Sequence, residues 1–83
     1  MKKRTFEFIT ESLGWIGVLA ILLGYALISF QIVESSSRLF HGINFVGALG
    51  ILIDAAADKN WQPVVLNVVW IGLASYGIFM AVV

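Results

Sequence analysis

Asn67 and Trp70 lie three residues apart in QPVVLNVVW, residues 62–70, a stretch otherwise made of Val and Leu after its opening Gln-Pro. An amide both donates and accepts hydrogen bonds to hydroxyl groups, and an indole face stacks on the apolar side of a sugar ring. Gln31 and Asn44 are two further amides set in apolar runs. Asn67, Trp70, Asn44 and Gln31 are therefore candidates to line a polar cavity for a small polar solute. The other reading is structural: such amides clamp helices or protomers together, each bond stabilising by about 0.6 to 2 kcal/mol in a membrane. Asp54 and His41 are the candidates for proton-linked chemistry. A carboxylate at the bilayer centre costs about 3 kcal/mol or more, so Asp54, four residues before Asp58, is expected nearer the headgroups. His41 reads as an interfacial or capping histidine, since no second His or suitable carboxylate shares its face at metal-ligand spacing. With one His, no Cys and no paired intramembrane carboxylates, neither an enzyme nor a metal or cofactor site is expected.

The elements that hold these side chains follow from composition. The chain has 83 residues, 60% hydrophobic and 12% charged, which is too little polar surface for a soluble domain of this size. Residues 13–33 (LGWIGVLAILLGYALISFQIV), 39–57 (LFHGINFVGALGILIDAAA) and 63–83 form three apolar runs. At about 1.5 Å per residue the first and third each span roughly 30 Å, the thickness of a bilayer core. Lipid offers no partner to an exposed backbone amide, so all three are expected to be helices. Pro63 suits the start of the third, where its missing N–H is not needed. Residues 1–12 read as an interfacial lead-in to a transmembrane domain at 13–83. The short links 34–38 and 58–62 predict an up-down-up order. Lys2, Lys3 and Arg4 outnumber the single cation in each link and predict a cytoplasmic N-terminus. There is no other basic patch, so nucleic acid is not an expected partner.

On a helical wheel each run has one face of small and polar residues. Gly14, Gly17, Ala20, Gly24 and Gln31 share an arc of the first. Asn44, Gly47, Ala48, Ile51, Asp54 and Ala55 share one in the second, with His41 at its edge. Asn67, Trp70, Ala74, Gly77 and Ala81 form a stripe on the third. Gly14, Gly17, Gly24, Gly47 and Gly77 are expected to be helix-packing positions, because small residues let membrane helices approach closely.

The order of these features resembles the SemiSWEET sugar transporters of the PQ-loop (MtN3-like) superfamily. The matching residues are Phe30-Gln31, where that family has Pro-Gln, then Ser37-Arg38, Gly47, and Pro63 through Asn67. The chain also looks similar to small uncharacterised bacterial inner-membrane proteins in Leu13-Gly14, Gly17, Tyr25-Ala26, Ser29, Asn44, Gly47-Ala48, Leu66-Asn67 and Trp70. The resemblance implies a half-transporter that works as a parallel homodimer, with a solute held between two three-helix bundles near the midplane. It implies a solute contact at Asn67. The family's helix 2 Trp falls on Ile51, leaving Trp70 to supply the aromatic surface, and Phe30 stands where the family has its hinge proline.

The sequence thus predicts an all-α membrane protein of the bacterial inner-membrane type. It would be a three-transmembrane-helix bundle, homodimeric, and a candidate small-solute (sugar-like) transporter. The alternative is a non-transporting assembly protein whose buried amides are clamps.

Overall fold

The computed structural model describes residues 3–83, and Lys2 of the N-terminal cationic cluster lies outside the described residues. The described chain is all-helical: α1 (Lys3–Ser29), α2 (Arg38–Ala57) and α3 (Trp61–Met80). All three helices are long and apolar enough to cross a membrane.

The end of α2 at Ala57 agrees with the sequence expectation, and the other helix boundaries differ from it. α1 begins at Lys3 instead of residue 13, because TFEFITES contains no Gly or Pro to interrupt the backbone ladder. It stops at Ser29 instead of residue 33, because Gln31 takes a left-handed conformation, φ 60°. The Gln31 N–H then donates to Ile28 O (3.0 Å) and the Ile32 N–H to Leu27 O (2.9 Å). This paired reversal is a Schellman stop. α2 ends the same way at Lys59, φ 56°, whose N–H donates to Ala56 O (3.1 Å) while Asn60 N–H donates to Ala55 O (2.9 Å). Glycine is the usual residue at such a position because a Cβ is disfavoured there. Gln31→Gly is accordingly expected to stabilise the fold by about 1 kcal/mol. A higher thermal midpoint in detergent checks this; an unchanged or lower one would give the Gln31 amide a role beyond turning the chain.

α3 starts at Trp61, two residues before Pro63. The N–H groups of a first turn have no intrahelical partner, so proline is tolerated at its third position as well as its first. At its far end α3 stops at Met80, and residues 81–83 run alongside the start of α2. There the Arg38 guanidinium donates to Ala81 O (3.0 Å) and the Arg38 N–H to Val83 O (2.9 Å). Ser37 caps α2, its Oγ accepting from the Phe40 N–H at 3.1 Å.

Packing inverts the pattern of a soluble protein. No large side chain is fully buried, while Phe79 is 84% exposed and Leu19, Leu22, Val46, Val65 and Leu73 also face outward. The interior consists of small residues: Ala48 (0% exposed), Ala55 and Ala74, with Gly14, Gly17, Gly24, Gly47 and Gly50. Such an arrangement suits an apolar solvent, in which large side chains gain nothing by hiding and helices associate by close backbone approach.

α2 is the central element. It packs against both α1 and α3, whereas α1 and α3 make no Cα approach within 8 Å of each other among the described residues. The expected bundle is therefore open on one side. Gly24 and Gly14 of α1 lie opposite Asn44 and Asp54 of α2, which sets an antiparallel register. In that register Thr10 falls opposite Asp58, so residues 3–9 run past the end of α2 by about 10 Å.

Candidate functional site

Because α1 and α3 stand apart, a cleft of about 350 Å³ opens over the face of α2. α2 contributes Phe40, His41 and Asn44, α1 contributes Tyr25, and α3 contributes Trp70, Leu73 and Ala74. Asn44 is 6% exposed, set one turn beyond His41, with Gly24 opposite its Oδ1. The buried Ala74 provides the small wall that leaves the cleft room. Trp70, one turn earlier on α3, is 41% exposed. It is the tenth of the twenty residues of α3, halfway along the span. The His41 ring lies over Gly77 and edge-on to Phe40, with centroids 5.4 Å apart and planes at 62°.

The lining is chemically narrow. No Asp, Glu, Lys or Arg contributes to it. It offers one amide, one imidazole, a phenol and an indole among apolar surface, which is a small set of polar groups able to orient a neutral solute. Tyr25 and Phe40 were not among the candidate site residues read from the sequence. Aromatics in an apolar run carry no mark of a site, and only the separation of α1 from α3 turns them toward one space.

The other candidate residues lie elsewhere. Asn67 is 5% exposed and does not line the cleft. Its Nδ2 donates to the Pro63 carbonyl at 2.8 Å, one turn back on its own helix. A carbonyl has two lone pairs, so the side chain can bond there beside the backbone N–H. Asn67 is seven residues from Ala74 along α3, or about 10 Å in depth, and so sits on a different level from Asn44. Gln31 is the helix stop described above. It lies on the exposed α1–α2 link beside Glu34, Ser35 and Ser36, away from both asparagines. The four-residue site read from the sequence is thus divided, with Asn44 and Trp70 in the cleft and Asn67 and Gln31 outside it.

The glycines divide between two interfaces. Gly14, Gly17, Gly24 and Gly47 lie between α1 and α2, and Gly77 lies between α2 and α3. Gly50 joins the first set: a Cβ there would fall 2.5 Å from the Leu13 carbonyl oxygen. Asp54 packs on Gly14 with its Oδ1 buried. No cluster of three or more His, Cys, Asp or Glu side chains able to hold a metal occurs among the described residues.

A protein-family model, that of an uncharacterised family, matches residues 10–83. The match begins at Thr10, the first buried residue of α1. No curated protein and no solved structure matches the chain.

Proposed function

The chain belongs to the uncharacterised family whose model it matches, and we propose that it is a half-transporter for a small neutral solute bearing hydroxyl groups. The observation that carries this reading is the uncharged cleft that runs from the first turn of α2 to Trp70 at mid-α3, with buried Asn44 on one wall and Trp70 on the other. Asn44 hydrogen-bonds a hydroxyl, and Trp70 and Tyr25 pack on the apolar face of a ring. Three helices with one side open do not enclose a path. A second copy related by a two-fold axis supplies the missing wall, as in the SemiSWEET-like dimer that the sequence resembles. The N-terminal cations set the N-terminus and the α2–α3 link on the cytoplasmic side of an inner membrane.

The test is uptake of labelled mono- and disaccharides into proteoliposomes. Saturable uptake is expected, lost in Asn44→Ala and in Trp70→Ala and retained in Asn67→Ala, whose amide is engaged within its own helix. In spheroplasts, where the cellular orientation is kept, an impermeant thiol reagent should reach a cysteine placed at Ser36 and not one at Asn60 when the N-terminus is cytoplasmic. Absence of uptake by folded, dimeric protein would leave the second reading, a membrane assembly protein. That reading is favoured by one specific feature, the small-residue seam along α2 that brings backbones together with no solute required.

A further inference from the structure

We propose that Asp54 and Gly14 form a proton-binding site inside the α1–α2 interface, separate from the solute cleft. Asp54 lies one turn before the α2 cap, within the apolar span. Its Oδ1 is buried and has no hydrogen-bond donor among the described residues. Its Oδ2 lies against Gly14, where a Cβ would collide with the carboxyl group. Glycine at position 14 is what makes room for an acid between the two helices. The remaining edge of the carboxyl reaches a small cleft of about 270 Å³ lined by Gly14, Trp15, Val18 and Ile51.

A buried carboxylate oxygen without a donor is costly, so the group requires a positive ligand. A hard metal cation gathers several oxygen ligands. This cleft is lined by a single carboxylate, and no cluster of metal-ligating side chains occurs among the described residues. The ligand that one carboxyl satisfies alone is the proton. Around it, α2 places Asp58 one turn on, and Lys59 follows in the link. α1 places Glu11 one turn before Gly14 and Glu7 one turn earlier, both exposed. α3 carries no Asp, Glu, Lys, Arg or His. The small cleft is the route by which the proton enters and leaves.

This site stands whether or not the chain moves a solute, and its test reads no transport. A protonated carboxyl group in apolar surroundings adds across a C=N bond of dicyclohexylcarbodiimide, the O-acylisourea rearranges to a stable N-acylurea, and mass spectrometry locates that adduct. In protein reconstituted at neutral pH, Asp54 is expected to carry the adduct while Glu11 and Asp58 remain unmodified. Raising the pH should diminish the labelling, and Asp54→Asn should lose it. Labelling of Asp54 no greater than that of Glu11 and Asp58 would overturn the proposal. Protection of Asp54 by sodium but not by choline at constant pH would also overturn it, by assigning the site to a metal cation. The wild-type result is decisive even if the asparagine variant fails to fold.

Discussion

Gly17→Ala will loosen α1 from α2, at an expected cost of about 2 kcal/mol or more. The methyl group has nowhere to go. A Cβ at position 17 would run into the Gly47 carbonyl oxygen and come within 3.0 Å of the Ile51 backbone nitrogen. Both neighbours belong to the backbone of α2, which cannot swing aside as a side chain can. The reciprocal position is slightly more forgiving, since a Cβ at Gly47 would meet Ile21 Cγ1 at 2.8 Å and the Gly17 carbonyl oxygen at 2.9 Å. The Ile21 contact is with a side chain, which can change rotamer, and the Gly17 contact is with backbone, which cannot. Two other glycines are internal controls, because a Cβ at Gly42 or at Gly72 has nothing within 4 Å. Gly42→Ala and Gly72→Ala should be neutral or stabilising by up to about 1 kcal/mol, the helix preference of Ala over Gly. Thermal denaturation in detergent compares the three variants directly. Equal midpoints for Gly17→Ala and Gly72→Ala would mean that α1 and α2 do not approach at Gly17.

Gly77→Ala will push the His41 ring off α3 and into the cleft between Asn44 and Trp70. A Cβ at position 77 would lie 2.5 Å from Nδ1, Cε1 and Nε2 of the imidazole at once. Here the obstacle is a side chain, so the fold yields by moving the ring, at a cost of about 1 to 2 kcal/mol. The ring borders the cleft beside Asn44, and displacing it narrows the space that Trp70 and Ala74 leave open. On the proposed transport reading, uptake should fall along with stability. The diagnostic is His41→Ala on the same background. Removing the ring removes the collision, so the double variant should be more stable than the sum of the single costs by about 1 kcal/mol or more. Strict additivity of the two substitutions would show that His41 does not rest on Gly77.

The stop of α1 shows where sequence reading ended and why. The apolar run continues through Phe30, Ile32 and Val33 with no Gly or Pro, so nothing in its composition marks a boundary. The chain nevertheless turns at Gln31, a residue type that only occasionally takes positive φ. With that turn Gln31 left the candidate site. The division of Asn44 from Asn67 has a different cause. Each lies on the small-residue face of its own helix, which a wheel displays. Whether two such faces place their amides at the same depth depends on how far one helix is shifted along the other.

Sequence alone determined that there would be three apolar helices, and that each would turn a stripe of small residues toward a neighbour. Both follow from local rules: lipid demands internal backbone hydrogen bonding, and close helix approach demands small side chains at the helical period. Tertiary structure alone decided that α2 would be the central helix, that α1 and α3 would stand apart, and that Tyr25, His41, Asn44 and Trp70 would border one space. Those outcomes rest on relative shift and pairing between helices. Between α1 and α2 that shift is fixed by which glycines meet: the close approaches at Gly17, Gly47 and Gly50 join residues tens of positions apart, and the period within one segment does not say which residue of the other it will face.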